Sequence, residues 1–553
     1  MRTLFPLTLI ALLLVGACAV TETSTPVAVL VEGTGVYSRP ISTRSEIAQR
    51  FFDQGLRLTW GYHFPEAVAS HQEALRHDPD HPMLYWGLAL SLGPNPNSRS
   101  AGLPDDPQGE ARRAINTAME LIGNASDEER AFVEALHVRF DADTYPDRDE
   151  RDRAYQLAAQ ALFSRLPEDP DAGTLFADAH MVTTPWRYWG FDGEPMPGTS
   201  DAAAALERVI HLHPDHPGAN HLYVHLMESS QMPERALPSA DRLAALMPGV
   251  GHVVHMPGHI YIRVGQHQKS IDTNRRSVVA DAAFLEAWGD LHFPKIGTYF
   301  LSAENHRRHA YEFIRYSSVM RGNYADAVEA AKNAQIHAGD AMIQAGPGQT
   351  IVAARWLVAK IFGRWDDLLA QERVLEGEIY LDGMWHYAQG SGQVGRGEFE
   401  AAELSLAALR GIVADPAAKT IRRNRNDVAT LLRIAAQGLE GEIKEANGDL
   451  DGAIAAFESA VAIEDRLGYR EPPDWGQPMR QYLGAALLAA GQPRQAETVY
   501  REDLRRNRNN GWSLFGLWQS LDAQGKTDEA EAVRRNYLVA WESADVEVTR
   551  SRF

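Results

Sequence analysis

Apolar and small residues recur along this chain from Ser45 onward with the spacing of α-helices, and short polar breaks separate the helical stretches. The same order of small and apolar positions returns in distant parts of the chain, at Phe51, Gly55, Ala67, Ala74 and Pro79 and again at Gly441, Ala453, Phe457 and Ala460. Such positions are where the two helices of a repeated hairpin touch. No alternation of apolar and polar residues is long enough to indicate a strand. The pattern therefore predicts an all-α chain.

Two histidine-bearing segments repeat one another along the chain. His221 and His225 are followed, at the same offset, by His255 and His259. That offset equals the period of the tetratricopeptide helix pair, which is about 34 residues. We therefore expect a tetratricopeptide α-solenoid of roughly eleven helix pairs with a few ordered insert loops.

The polar side chains of these segments are spaced to lie on one helix face. Their spacings are i, i+4, i+7 and i, i+3, i+7, at His221, His225 and Glu228 and at His252, His255 and His259. His309 and Glu312 follow His252 and His255 at one common offset, which predicts a third helix carrying polar groups at a matching height. In tetratricopeptide solenoids the first helices line the concave surface, so a compact polar site is expected there.

Imidazoles and carboxylates together are suitable ligands for Zn²⁺, Fe²⁺, Mn²⁺ or Cu²⁺. The predicted metal ligands are His221, His225, His252, His255, His259 and His309. Glu228 or Glu312 would act as a ligand or general base, and Asp178 is a weaker candidate on the preceding helix. No HExxH sequence is present, so a zincin-type hydrolase is not supported. A polar pocket without metal, or a structural hydrogen-bond network that fixes the solenoid's curvature, would also account for these residues.

Three segments interrupt the repeat pattern, at residues 186–195, 285–300 and 471–475. Loops that hold several aromatic residues, Pro and Gly are often ordered lids or pocket walls, although each one taken alone is better explained as a hydrophobic loop packed over the solenoid. An enzyme would need the first insert to cover the histidines. Asp474, which follows two prolines, is the side chain of the third insert expected to present a carboxylate.

The N-terminus has the features of a targeting segment. Arg2 precedes an apolar run that is too short to span a bilayer, and the run ends in Val15-Gly16-Ala17-Cys18, which resembles a bacterial lipobox. Cys18 is the single cysteine of the chain, which predicts its lipidation and a lipid-anchored protein in the cell envelope. Ala19 after the cysteine favours the outer membrane, facing the periplasm. The net charge of −20, without a compensating basic segment, argues against nucleic-acid binding.

The predicted organisation has five parts along the chain. They are a signal peptide over residues 1–18, a flexible tether over 19–43, N-terminal repeats over 44–200 with an aromatic insert at 185–198, central His-rich repeats over 201–345, and C-terminal repeats over 346–545.

Several motifs resemble those of a family of large bacterial tetratricopeptide-repeat proteins. They are His221-Leu222-Tyr223-Val224-His225, the segment from Gly251 to Tyr261, Glu471-Pro472-Pro473-Asp474-Trp475, Phe52-Asp53-Gln54-Gly55-Leu56 and Asn510-Gly511-Trp512-Ser513-Leu514. The resemblance covers nearly the whole mature chain and implies an α-solenoid. The family tends to have His-Asn-x-His in the next repeat, where this chain has His309-Ala310-Tyr311-Glu312.

Three functions fit the sequence. The first is a lipid-anchored periplasmic solenoid whose His/Glu-lined concave pocket binds a divalent metal and a small ligand or partner. The second is a metal-dependent enzyme, hydrolytic or oxidative, on the same scaffold. The third is a protein-interaction scaffold without metal, with a peptide in its groove.

Overall fold

The computed structural model describes residues 25–190, 193–294, 302–423 and 425–553. Cys18 and the lipobox-like sequence, residues 19–24 of the predicted tether and parts of the first two inserts lie outside the described residues. Within those ranges, no helix combines the length and apolar character needed to cross a membrane.

The described residues fold mainly into α-helices, with two short 3-10 helices and one β-hairpin whose strands have two residues each. The strands of that hairpin are β1 (Arg422–Arg423) and β2 (Asn426–Asp427), which pair antiparallel. The helices are α1 (Glu46–Trp60), α2 (Phe64–His77), α3 (Pro82–Leu92), α4 (Pro96–Ser100), α5 (Glu110–Glu120), α6 (Asp127–Phe140), α7 (Arg148–Arg165), α8 (Pro170–Thr183), α9 (Thr199–Leu212), α10 (Pro217–Glu228), α11 (Leu237–Leu246), α12 (Gly251–His255), α13 (Pro257–Arg263), α14 (His267–Trp288), α15 (Ala303–Met320), α16 (Tyr324–Gln344), α17 (Gln349–Ile361), α18 (Trp365–Leu369), α19 (Ile379–Arg396), α20 (Phe399–Ala414), α21 (Pro416–Thr420), α22 (Val428–Ala446), α23 (Leu450–Glu464), α24 (Met479–Ala489), α25 (Pro493–Arg506), α26 (Gly511–Asp522) and α27 (Thr527–Ala540).

Most helices pack chiefly against the next helix in the chain, which is the organisation of a helical-repeat solenoid. In several pairs the contact is made by a glycine of the first helix and a ring of the second, sixteen positions later. A Cβ on the glycine would lie less than 3.0 Å from the ring in the pairs Gly55 with His71, Gly441 with Phe457 and Gly484 with Tyr500. The predicted all-α tetratricopeptide-type solenoid is confirmed.

The solenoid is wound tightly enough for its first repeat to touch the central one. The Trp60 carbonyl at the end of α1 accepts a hydrogen bond from Nδ1 of His221 in α10 at 2.5 Å. Glu66 of α2 accepts a hydrogen bond from the backbone of Ala303 in α15 at 3.2 Å. One apolar core runs through this N-terminal and central part, from Ala28 to Ala303. A second core fills the C-terminal repeats.

The N-terminal segment ahead of α1 is packed on the solenoid. Gln54 accepts a hydrogen bond from the backbone of Val31 at 2.7 Å, and Ala28 is buried. Arg39 is buried and pairs with Asp169 at 2.9 Å and with Asp171 at 3.1 Å. The prediction of a flexible tether is therefore wrong for residues 25–43, because their polar groups bond to helices α1 and α8.

The C-terminal segment after α27 is likewise tied to earlier repeats. The backbone of Asp545 donates to the carbonyl of Gly322 at 3.2 Å, and the Ser551 hydroxyl bonds to Tyr500 at 2.7 Å. Arg552 pairs with Glu445 of α22. This segment therefore contacts both the turn between α15 and α16 and the C-terminal repeats.

Candidate metal site

The first helices of three consecutive repeats carry the histidines. Helix α10 begins with Pro217, and His216 caps it by accepting a hydrogen bond from the backbone of Ala219 at 2.9 Å. The second segment is divided just before Pro257, because proline cannot donate a backbone hydrogen bond: α12 ends at His255 and α13 begins at Pro257. Helix α15 provides the third segment.

Seven imidazoles from these helices form one continuous cluster. The ring centroids of His221 and His252 are 5.0 Å apart, and those of His255 and His259 are 4.7 Å apart. His225 lies 6.0 Å from His252 across the interface. The six histidines predicted as ligands all belong to the cluster, together with His306, and six of the seven are buried.

His306 is the member of the cluster that the sequence pattern does not single out, and it corrects the predicted alignment of the third helix. Its ring lies 5.2 Å from that of His252, and the ring of His309 lies 4.9 Å from that of His255. The pair His306 and His309 therefore matches His252 and His255, one helical turn away from the predicted register. The shared His-x-x-His spacing is the signal that finds it, but counting across the second insert conceals this match.

Five of the seven imidazoles form a hydrogen bond between Nδ1 and an oxygen. The pairs are His221 with the Trp60 carbonyl at 2.5 Å, His225 with Glu228 at 3.1 Å, His255 with Asn274 at 2.6 Å, His306 with Asp281 at 2.9 Å and His309 with Glu312 at 3.2 Å. An oxygen acceptor keeps the proton on Nδ1 and leaves the lone pair on Nε2. This is the arrangement by which proteins orient histidine ligands of metals.

Nε2 atoms converge inside the cluster. Nε2 of His221 lies 3.1 Å from Nε2 of His252, and Nε2 of His255 lies 2.8 Å from Nε2 of His259. Two imidazole nitrogens bound to one tetrahedral zinc ion would lie about 3.3 Å apart, given zinc–nitrogen bonds of about 2.0 Å. The observed separations are close to that value.

Three groups of side chains place their donor atoms within 4.8 Å of one another. The groups are His221, His225 and His252; His255, His259 and His309; and Glu228, His259 and Glu471. All these residues except His309 are buried, and the side chain of His309 is 26% exposed.

Two carboxylates, Glu228 and Glu471, meet at Nδ1 of His259. Glu228 reaches His225 with one oxygen and His259 with the other, and Glu471 lies 2.9 Å from the same nitrogen of His259. Glu471 belongs to the third insert, for which the sequence predicts Asp474 as the carboxylate. Asp474 accepts a hydrogen bond from Asn426 at 2.8 Å, and Glu471 is the residue of this insert that reaches the cluster.

The charges of the cluster follow from burial and from these carboxylates. Burial lowers the pKa of His221, His225, His252 and His255 well below the usual value, with further lowering by neighbouring imidazoles. Burial also acts on His259, but Glu228 and Glu471 outweigh it and raise the pKa of this imidazole to about 10. Neutral imidazoles are the form that binds metal, and His259 would release its proton when an ion binds.

The carboxyl group of Glu471 titrates closer to neutrality than an exposed glutamate. Burial raises its pKa to about 6, with help from the negative charge of Glu228 and against the hydrogen bond from His259. A carboxylate with a pKa near neutrality is suited to proton transfer.

The two other predicted acids lie at different distances from the cluster. Glu312 is at its edge, because it accepts from His309 and lies 3.7 Å from Arg470. Burial favours a higher pKa for Glu312, but these two contacts outweigh it and lower the pKa to about 2. Asp178 faces Arg139 at 3.5 Å and belongs to none of the three donor groups, so it is not a ligand candidate.

A cavity of about 530 Å³ opens beside the cluster. One wall contains five of the histidines together with Glu228 and Glu471. Trp186 of the first insert forms another wall, with its ring centroid 5.2 Å from that of His225. The described part of this insert therefore covers one side of the cluster, as an enclosed site requires.

Three arginines, Arg308, Arg425 and Arg470, line the same cavity. Arg425 comes from the β1–β2 hairpin and donates to the carbonyls of Trp186 and Pro185. Arg308 lies 3.7 Å from Glu312 and has a buried Nε without a hydrogen-bond acceptor among the described residues. Arg470 also lies 3.7 Å from Glu312 and 3.0 Å from Asp474, so these acidic residues offset part of the positive charge that the arginines bring to the cavity.

No family model matches this chain, and no curated protein matches it. Among solved structures, the human IFIT1 dimer with m7Gppp-AAAA is 14% identical over 83% of this chain and 90% of that one, with a TM-score of 0.33. Yeast Tom70 is 9% identical over 89% of this chain and 90% of its own, with a TM-score of 0.29. These values describe a general likeness among helical chains and assign no ligand or activity to this protein.

Proposed function

We propose that this protein binds a divalent transition metal through the histidine cluster of α10, α12, α13 and α15. The observation that supports this most strongly is the orientation of the imidazoles. Five have Nδ1 hydrogen-bonded to an oxygen, and two pairs of Nε2 atoms face each other inside the cluster. A network that served only to join helices would need each Nε2 to meet a partner, but His225 and His306 have buried Nε2 atoms without one among the described residues.

The donor set narrows the choice of metal. Imidazole-rich sites suit zinc, copper and iron, whereas manganese prefers sites dominated by carboxylate and carbonyl oxygens. Seven imidazoles and the carboxylates of Glu228 and Glu471 therefore favour Zn²⁺, Fe²⁺ or Cu²⁺ over Mn²⁺. The chain's one cysteine is the predicted lipidation site, so no thiolate is expected to contribute.

The ligand of the cavity is, in this proposal, a small anion. A cavity of about 530 Å³ lies within the range of small-molecule sites. Its arginines would bind the carboxylate or phosphate group of the ligand by charge-assisted hydrogen bonds. The other end of the ligand would lie against the wall of histidines.

A metal-dependent enzyme is the second candidate function, and Glu471 favours it. This carboxylate touches His259 from a loop distant in sequence, and its pKa is raised to about 6. It would accept a proton from a substrate or from water in the cavity. Turnover of a small anionic substrate that is lost in a Glu471→Gln variant with unchanged metal content would support this function.

The cellular location is part of the proposal. Acylation of Cys18 would hold the protein at the membrane, with the solenoid in the periplasm. A Cys18→Ala variant should appear in the soluble fraction after cell lysis. Its retention in the membrane fraction would contradict the lipid anchor without affecting the metal site.

Metal content is the test of the proposed binding function. Purified protein is expected to contain near-stoichiometric metal by inductively coupled plasma mass spectrometry, and a His225→Ala/His255→Ala variant should lose it. A His211→Ala/His213→Ala variant is the matched control, because both residues are exposed and lie outside the cluster. A wild-type protein that takes up no Zn²⁺, Fe²⁺, Mn²⁺ or Cu²⁺ on reconstitution would leave a polar ligand pocket or a metal-free scaffold.

A further inference from the structure

The cluster contains more donor groups than one ion can use. Seven imidazoles and the carboxylates of Glu228, Glu312 and Glu471 lie within it or at its edge. Zinc in proteins is almost always bound by four ligands, and octahedral ions take six. A single ion bound by His255, His259 and His309 would leave the buried Nε2 of His225 without a partner among the described residues, which destabilises the fold.

Six of the seven imidazoles, all except His306, form two triads that share no residue. The first triad is His221, His225 and His252, from α10 and α12. The second is His255, His259 and His309, from α12, α13 and α15. Each triad therefore spans the junction between neighbouring repeats. Each also has three imidazoles, the number of protein ligands that leaves a zinc coordination position open.

The oxygens that orient the imidazoles are also distributed between the triads. In the first, the Trp60 carbonyl holds His221 and Glu228 holds His225. In the second, Asn274 holds His255 and Glu312 holds His309. Each triad thus has two imidazoles with a hydrogen bond at Nδ1, and in the second triad Nδ1 of His259 also lies against Glu228 and Glu471. Such partners orient the rings so that each triad could bind an ion independently.

Glu228 connects the two triads. One of its oxygens contacts His225 of the first triad, and the other contacts His259 of the second. The ring centroids of His225 and His259 are 5.9 Å apart, so the triads are neighbours rather than separate sites. A buried carboxylate in this position offsets the charge of cations on both sides.

We propose that the protein holds two neighbouring divalent ions, one in each histidine triad, with Glu228 between them. This inference rests on the proposed metal-binding function and extends it from one ion to a pair. A pair of ions next to an arginine-lined cavity suits a ligand with an anionic group that spans both metals. The class of ligand is a small phosphate or carboxylate compound.

The number of metal ions per chain tests the inference. Full-length protein extracted in detergent is stripped with a chelator, reloaded with Zn²⁺, desalted and measured for zinc and protein. The wild type should contain two zinc ions per chain. A His221→Ala/His252→Ala variant and a His255→Ala/His309→Ala variant should each retain one, with unchanged helical circular dichroism.

Wild-type values separate the possible outcomes without relying on the folding of any variant. Two zinc ions per chain support the pair, and one would overturn it while leaving the proposed binding function intact. No bound zinc, with none for Cu²⁺ or Fe²⁺ either, would overturn both. In Cu²⁺-loaded wild type, the half-field electron paramagnetic resonance signal of a coupled pair is expected, and spectra of isolated copper alone would contradict adjacency.

Discussion

At the scale of single residues, the cluster depends on the groups that orient its imidazoles. Asn274 of α14 accepts from Nδ1 of His255 at 2.6 Å and itself donates to the carbonyl of Ser270 at 2.8 Å. The amide is therefore fixed by its own helix, and it fixes the ring in turn. Histidine ligands that lose such a partner bind metal less tightly.

Replacement of Asn274 by Ala should weaken zinc binding by about 10–100-fold, the usual effect of removing such a partner. Competition with a chromogenic chelator measures the change. Asn333→Ala is the control, because Asn333 bonds to the backbone of its own helix, away from the cluster. Equal affinity in the Asn274 variant and the wild type would show that His255 needs no orienting partner.

A second prediction concerns the role of Arg425 in binding the anionic ligand, not the metal. Metal-loaded protein should bind inorganic phosphate, and Arg425→Ala should weaken that binding about tenfold, the loss of roughly 1.4 kcal/mol from one charge-assisted contact. Isothermal titration calorimetry measures it, with zinc content determined on the same samples. Arg433→Ala, at an exposed position of α22, is the control. Unchanged phosphate affinity with full metal content would exclude Arg425 from ligand binding.

A third residue-scale prediction concerns stability in acid. Burial between Gly55 and Gly87 lowers the pKa of His71 from 6.5 to about 3. Between pH 6.5 and about pH 3, the His71 imidazole is protonated in the unfolded chain and neutral in the folded chain. The stability from this neutral ring is therefore complete above pH 6.5 and is lost as the pH falls towards 3.

His71→Phe should reduce this acid sensitivity, because a phenyl ring does not take up a proton. An aromatic ring should fit at this position, since Phe457 and Tyr500 occupy the matching position in other repeats. Urea unfolding at several pH values between the unfolded and folded pKa of His71 measures the effect. The free energy of unfolding should fall less steeply with acid in the variant. Parallel curves for both proteins would mean that His71 is not the group responsible.

The sequence alone predicts that six of the seven imidazoles of the cluster lie together. The repeat offset and the spacing on one helix face, which indicate this, can be read without a structure. It does not reveal His306, because the second insert alters the count between repeats. The role of Glu471 is also hidden, because its contact with His259 joins two positions far apart along the chain. Nothing in the local pattern around Glu471 distinguishes it from Asp474.

At the scale of elements, the helix pairs can be predicted from the sequence. The packing of non-helical segments against those pairs cannot. Small residues facing rings sixteen positions later are a local signal, as at Gly441 and Phe457. The segment ahead of α1 is rich in small and polar residues, which makes it resemble a tether. Its burial depends on the contacts of Arg39 with Asp169, the N-cap residue of α8, and with Asp171 in α8, which its own sequence does not encode.

The contact between the C-terminal segment and α22 gives a prediction at this scale. Arg552 is 8% exposed and pairs with Glu445, which also pairs with Arg550. Glu445→Gln would leave a buried guanidinium without its carboxylate, at a cost of about 3 kcal/mol. Urea unfolding followed by tryptophan fluorescence should show this loss.

The matched control is Glu531→Gln, which removes a carboxylate from exposed ion pairs with Arg534 and Arg535. Exposed pairs contribute little, so this change should be nearly neutral. A Glu445→Gln protein as stable as the control would mean that the C-terminal segment does not stabilise the repeats.

At the scale of the whole molecule, the site exists because the solenoid closes on itself. The first repeat contributes the Trp60 carbonyl, the central repeats contribute the histidines, and the third insert contributes Glu471. Arg425 reaches the cavity from yet another repeat. Such convergence depends on the rotation from one repeat to the next, which accumulates along the chain and is not encoded in any one period.

This closure also bears on the choice between an open peptide groove and a compact site. Trp186, Tyr469 and Glu471 form walls of the cavity beside the histidines. Side chains from separate parts of the chain thus confine the space to that of a small ligand. A small-molecule site accounts for this arrangement better than a groove for an extended peptide.

The location of bound metal tests the central claim most directly. Crystals of the zinc-loaded protein, measured above and below the zinc absorption edge, would show where the ions lie. Anomalous density is expected inside the cluster, with zinc about 2.0–2.1 Å from Nε2 atoms of the histidine triads. Zinc confined to exposed histidines such as His211, with none among His221, His252 and His255, would contradict the account.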